Sequence, residues 1–182
     1  MSSWWSDHPD LEGVARRGRR ELHDESVSAE RDTDLLRKRR RSLIDICHEW
    51  MSRGDLVTVG AAGHEFEGQL VAAVNDLIVI ATKNFEVAVN VTNTEFVRSD
   101  QSGIYAGTSG DRTVSSFRAA LGRSEIDQSP IRLVAKHDAF DVTGTIEAST
   151  EDHILIRGHR GLEWALPRSQ VAFAVGGQPT TR

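Results

Sequence analysis

Five basic residues in succession, Arg37, Lys38, Arg39, Arg40 and Arg41, form the densest positive stretch of the chain. Guanidinium and ammonium groups neutralise phosphate and donate hydrogen bonds to its oxygens, so the run is a candidate nucleic-acid contact. Arg157 and Arg160 are a second candidate, with His159 between them and Trp164 close behind as a ring on which a base could stack. A solvated helix surface explains the first run equally simply. Five successive residues cover every side of a helix, and Asp34–Lys38 and Arg41–Asp45 have the i,i+4 spacing of local ion pairs. Trp4 and Trp5 form an aromatic pair in a polar tail. They suit either a short motif that docks on a protein partner or a pair that packs back onto the chain's own core.

Other chemistry finds few residues to carry it. The histidines at positions 8, 23, 48, 64, 137, 153 and 159 are scattered, and His153 and His159 lack a cysteine or a helical carboxylate at ligand spacing. Glu65 with Glu67, and Glu151 with Asp152, lack the apolar surroundings that would tune a carboxyl for acid–base work. No glycine-rich phosphate loop of either common kind occurs. Cys47 lies at helical spacing with Ile46 and Trp50, as a small core residue does. The expectation is a non-enzymatic protein with no cofactor and no metal.

Charge placement narrows the partners. Of the 27 acidic and 22 basic residues, the first 53 positions hold 11 of each, so the net −5 belongs to the remainder. An acidic β-rich part is not the surface that duplex nucleic acid prefers. One cysteine excludes an internal disulfide framework. No run approaches the roughly 18 apolar residues of a membrane span, and the N-terminus lacks the pattern of a secretory leader. A cytoplasmic protein that does not enter membranes is expected.

The elements that must position these residues are organised by a repeat. Gly68 to Ile80, GQLVAAVNDLIVI, recurs as GTIEASTEDHILI from Gly144 to Ile156. Gly68 matches Gly144, Leu70 matches Ile146, Asp76 matches Asp152, Ile78 matches Ile154 and Ile80 matches Ile156. Alternation with period two marks half-buried strands, with Phe66, Gly68, Leu70, Ala72 and Val74 on one face. A central glycine marks a bend or a close backbone approach. The spacing of Leu35, Leu36, Leu43, Ile46, Cys47, Trp50 and Met51 predicts one helix over 31–52, and Val114, Phe117, Ala120 and Leu121 predict a short one ending near Gly122. Five short strands follow each helix, as in a small barrel. The organisation expected is a disordered tail over 1–30, a helix and barrel over 31–98, a Gly/Ser-rich linker over 99–111, a helix and barrel over 112–175, and a loose tail over 176–182. Asp76 and Asp152 are expected to bond to nearby turn backbone. Trp164 shares the register of Val87 and is expected in the core.

A helix and five bent strands carrying apolar-x-Gly-x-apolar and then Asp-x-Ile-x-Ile resemble the Sm-like family, which includes the bacterial Hfq proteins. The resemblance rests on Phe66, Gly68, Leu70, Asp76, Ile78 and Ile80, echoed by Val142, Gly144, Ile146, Asp152, Ile154 and Ile156. It implies a mainly β fold with helices, built from two tandem five-stranded SH3/Sm-like barrels, a tendency to form homo-oligomers, and RNA as a ligand. The chain as a whole also resembles an uncharacterised actinobacterial type of protein, which implies no activity. Three functions are therefore expected in turn. The first is an adaptor binding RNA or another nucleic acid through the basic helix, aided by Arg157 and Arg160. The second is a protein-interaction scaffold that self-associates through helix 31–52 and docks a partner through Trp4-Trp5. The third, a transcriptional regulator, lacks a visible helix-turn-helix.

Overall fold

Glycine and bulge positions bend this chain into one long antiparallel sheet. The computed structural model describes residues 31–100 and 114–176, together with Arg19, Arg20, His23 and Val27. The chain divides into two units, Met1–Ser42 and Leu43–Arg182. In the first, residues 31–40 are helical (α1) and exposed throughout, Leu35 and Leu36 included. The single helix predicted over 31–52 is interrupted at Arg41 and Ser42, which are not helical.

The second unit begins with α2 (Leu43–Arg53), which buries Cys47 and Met51. It stops at Gly54, whose φ of 71° a residue without Cβ adopts most readily. The Gly54 N–H donates to the Met51 carbonyl and the Asp55 N–H to the Trp50 carbonyl, a Schellman closure. Strands β1 (Leu56–Ala61), β2 (His64–Val74), β3 (Leu77–Ala81), β4 (Glu86–Asn90) and β5 (Thr94–Ser99) follow. Helix α3 (Phe117–Asp127) then precedes β6 (Pro130–Ala135), β7 (Asp141–Ser149), β8 (His153–Gly158), β9 (Glu163–Pro167) and β10 (Val171–Gly176). Contrary to the expected stop near Gly122, α3 runs on to Gln128, which closes it at a φ of 51°. Nothing lies within 4 Å of a Cβ added at Gly122, so no close contact requires a glycine there.

Strand order across the sheet is β5-β1-β2-β3-β4-β10-β6-β7-β8-β9. Each half thus repeats one order, its fifth strand beside its first. Two separate closed barrels are not what forms: the halves share one open sheet of ten strands, every neighbouring pair antiparallel. The joint is β4 with β10, pairing Val87 with Val175, Ala88 with Ala174 and Val89 with Phe173. Side chains stitch it further. Asn93 Nδ2 donates to the carbonyls of Val171 at 2.8 Å and Ser169 at 3.1 Å, and Asn90 Nδ2 donates to Val171 at 3.3 Å.

The repeated glycine is a point of backbone contact. A Cβ on Gly68 would lie 2.2 Å from the Ala81 carbonyl oxygen, and one on Gly144 would lie 2.2 Å from that of Arg157. Both β2 and β7 then carry a bulge, between Leu70 and Ala72 and between Ile146 and Ala148. An extra residue reverses which face each later side chain takes. The expected single face of Phe66, Leu70, Ala72 and Val74 is therefore split. Phe66, Leu70 and Ala73 join one core with Cys47, Ile78 and Ile80, while Ala72 and Val74 turn to a second core with Leu77 and Val79. The cores interlock across the halves: Phe173 and Val134 belong to the first, and Leu77 and Val79 pack with Phe117, Leu121 and Leu133 in the second. Phe66, Leu70, Ile78 and Ile80 are buried, as are Val142, Ile146, Ile154 and Ile156.

Candidate functional site

Among the described residues the sheet leaves two edges, and both carry exposed apolar side chains. At one end β9 pairs, among the described residues, only with β8. Trp164 stands opposite Ile156 there, as Val87 stands opposite Ile80 in the first half. The register is the expected one and the burial is not: Val87 is fully buried, whereas Trp164 is 42% and Leu162 is 59% exposed. The difference lies on the other side of the strand. β4 is covered by β10, and among the described residues β9 has no strand beyond it. A tight turn over His159–Gly161, with Arg160 and Gly161 at φ 60° and 74°, delivers Leu162 to this edge. The indole of Trp164 lies along Gly158, where a Cβ would meet its Nε1 at 3.4 Å. Pro167 ends the strand and removes a donor from the edge.

At the opposite end β5 pairs, among the described residues, only with β1. Phe96, 37% exposed, lies over Gly60, whose added Cβ would come within 2.3 Å of the ring. Beside it Arg98 reaches Thr58 Oγ1 at 3.4 Å and Asp100 at 3.7 Å. The strand is anchored from its far end by Asp55, which is buried and accepts from Arg53 Nη2 at 2.6 Å, Arg53 Nε at 3.1 Å and Ser99 Oγ at 2.9 Å. The Arg53 hydrogen bonds hold the Asp55 carboxyl below the usual carboxylate range, against the opposing effect of burial.

The residues singled out from the sequence fall in several places. Arg37, Lys38, Arg39 and Arg40 are exposed on α1, where Arg37 pairs with Asp34 at 3.4 Å, and Arg41 follows the helix end half-buried. Arg157 and Arg160 belong to the other unit. Arg157 is bracketed by Glu147, to which it is ion-paired, and by Glu163 at 3.4 Å, so its charge is already answered. Arg160 is exposed at the β8–β9 turn. Trp4 and Trp5 lie outside the described residues. Asp76 does not serve its own turn as expected. Its Oδ1 accepts from the Phe117 N–H at 2.9 Å and so caps α3 across the halves, while Asn75 Nδ2 donates to the Ser115 carbonyl at 2.8 Å. Asp152 bonds within its own turn, but to side chains and not to the nearby backbone as expected: Thr150 Oγ1 at 3.0 Å and His153 Nδ1 at 2.7 Å.

The remaining polar groups are structural in their contacts. Arg132 and Asp141 form a two-pronged pair at 2.9 and 2.6 Å between β6 and β7. His64 packs edge-on against Phe173 at 5.3 Å, and Phe66 does so at 4.7 Å. Burial pushes the Cys47 thiol up to about 11, which keeps it protonated near neutral pH. Among the described residues no three histidine, cysteine or acidic side chains are grouped to hold a metal ion, and no helix is long and apolar enough to cross a membrane. A depression of about 470 Å³ on α3 is lined by Ala119, Gly122, Arg123, Glu125, Ile126 and Asp127. Trp164, a candidate stacking ring expected in the core, is exposed instead, and Phe96 escaped sequence reasoning, since no local pattern shows which strand lies at an edge.

Compared with protein-family models, with curated proteins and with solved structures, the chain matches none of them.

Proposed function

We propose that this protein is a non-enzymatic adaptor whose working surfaces are the two open edges of its sheet, with protein partners as the ligands. Each half is taken as an opened SH3/Sm-like barrel, in a cytoplasmic protein. The observation that carries the proposal is Trp164, a large aromatic at the position where the first half has fully buried Val87. An unpaired strand is a ready template for another strand, and a long exposed edge invites pairing. Aromatic side chains are enriched where such interfaces concentrate their binding energy. The bracketing of Arg157 by two carboxylates weighs against a phosphate site on the same edge. The test is a photo-crosslinking amino acid at Trp164 in the full chain, expressed in cells. Protein adducts at Trp164, absent when the probe is placed at exposed Glu151, support the reading. Adducts with RNA alone, or none, end it.

A second reading keeps a specific observation: Lys38, Arg39 and Arg40 are exposed on α1. In it α1 binds single-stranded RNA through phosphate. Replacing Arg37 to Arg41 by glutamine should then remove most binding at every sequence tested. It should also flatten the slope of log affinity against log salt by about 0.7 for each phosphate that is no longer neutralised.

A further inference from the structure

The basic run ends on a serine. Arg37 to Arg41 lead directly into Ser42, the one serine or threonine of the chain with arginine both two and three positions before it. Ser99, Ser124 and Ser169 each follow a single arginine, preceded in turn by Val97, Gly122 and Pro167. Local structure sets Ser42 apart as well. It is exposed and non-helical, in the two-residue break between α1 and α2. Ser124 instead lies inside α3, and the Ser99 hydroxyl is committed to Asp55 at 2.9 Å.

From this combination we infer that Ser42 is a phosphorylation site, modified by an arginine-directed protein serine kinase with ATP as the phosphoryl donor. The inference goes beyond edge docking and does not depend on it. A kinase of this kind lays the residues before the acceptor along acidic subsites, where carboxylates meet each guanidinium in two-pronged contact. In the transfer Ser42 Oγ attacks the γ-phosphorus and forms the new O–P bond. The bond from that phosphorus to the β–γ bridging oxygen breaks, ADP leaves with the electron pair, and the hydroxyl proton passes to a carboxylate of the kinase.

Such a cleft demands an accessible, extended stretch of chain, and the structure meets that demand. Arg39 and Arg40 occupy the last turn of α1, where every residue from 31 to 40 is exposed. Helices owe most of their stability to a packed face, and exposed helix ends open at little cost. The ladder is already tightening at that end, where the Arg41 N–H reaches the Lys38 carbonyl at 3.4 Å. The Arg37–Asp34 pair is exposed at both partners and is of the surface kind that resists little. The product also changes what the run is. A phosphoserine carries about −1.5 to −2 charges at neutral pH, so segment 37–42 falls from +5 to about +3. The densest positive stretch of the chain thereby becomes one whose charge a kinase sets.

The test offers the full chain to the purified catalytic domain of an arginine-directed serine kinase with ATP and magnesium, and reads intact and fragment masses. One phosphate per chain on Ser42 is expected, with Ser99, Ser124 and Ser169 unmodified, and Ser42→Ala should take up none. Because that change removes the acceptor itself, Arg39→Gln combined with Arg40→Gln is the second variant. It keeps Ser42, and phosphorylation should slow about tenfold or more as the charge-assisted contacts are lost. The native chain should react within about tenfold of the rate of a synthetic peptide of residues 34–45, since only a helix end has to open. The chain isolated from the cells that make it, with phosphatases inhibited, should carry phosphate on Ser42. A native chain that is inert while the peptide reacts overturns the inference. So does phosphate that appears first on another serine, a rate indifferent to Arg39 and Arg40, or a cellular chain without phosphate on Ser42.

Discussion

Replacing Gly68 by alanine should cost far more than a methyl group normally does. The added Cβ would lie 2.2 Å from the Ala81 carbonyl oxygen and 2.8 Å from Ile80 Cγ2, where ordinary contact begins near 3.4 Å. The obstacle is backbone, and β3 is held on both sides, by β2 and by β4, so it cannot yield without disturbing two ladders. Overpacking a closed core costs about 1–3 kcal/mol and sometimes more. Weakening one ladder hydrogen bond adds about 1 kcal/mol. Restricting the unfolded chain returns about 0.4–1 kcal/mol. The net is a loss of about 1–3.5 kcal/mol, or roughly 3–14 °C in Tm for a cooperative unit of this size. Gly144→Ala should behave alike, since it meets the Arg157 carbonyl at the same 2.2 Å. Gly122→Ala is the internal control: it lies within α3 with nothing inside 4 Å, and should stabilise by about 0.5–1 kcal/mol. Urea unfolding of the full chain, followed by circular dichroism, measures all three. If Gly68→Ala lies within about 0.5 kcal/mol of wild type, or the two strand glycines differ widely, the shared bend is not what the repeat preserves.

Further outcomes follow from the interlocked cores and the buried groups. A fragment ending at residue 100 should not fold, because Leu77 and Val79 would be stripped of Phe117, Leu121 and Leu133; a cooperative melt of that fragment would contradict the shared core. The Asp55 carboxyl is held low in the folded state, so its contribution to stability is present above about pH 4–5 and is lost as pH falls through the folded value. Asp55→Asn should therefore lower stability at pH 7 and flatten the acid limb of stability against pH; an unchanged acid limb would refute the role given to the Arg53 hydrogen bonds. Cys47 should react with a thiol reagent only at the rate at which the chain opens, with fast labelling under native conditions as the contrary result.

Local pattern carried much of the fold into view. Period-two alternation and the doubled Gly68 and Gly144 located the strands of both halves, because a half-buried strand must alternate and a backbone contact tolerates no Cβ. The bulges after Leu70 and Ile146 were hidden, since a run such as LVAAV is apolar on either face and cannot show where one residue is skipped. The β4–β10 joint was also hidden. It brings Val87 to Val175 across the length of the chain, and no local signal distinguishes a strand that closes its own barrel from one that extends a shared sheet. Trp164 was misjudged for the same reason: its register was legible, but its exposure depends on which strand lies beyond β9. Helical spacing ran unbroken through Arg41 and Ser42, yet the helix is interrupted there. The helical placement of the basic run was legible for all but Arg41, and four of its five residues are exposed, as a solvated surface and a phosphate contact alike require.

Amide hydrogen exchange of the isotopically labelled full chain, read free and in concentrated cell extract, puts the edge account at most direct risk. If β9 and β5 are docking surfaces, amides of one or both should gain protection in the extract, while those of β2 and β3, already paired on both sides, stay unchanged. Exchange at Glu163–Pro167 and Thr94–Ser99 that is equally fast in both, or protection that appears on α2 or α3 instead, contradicts it.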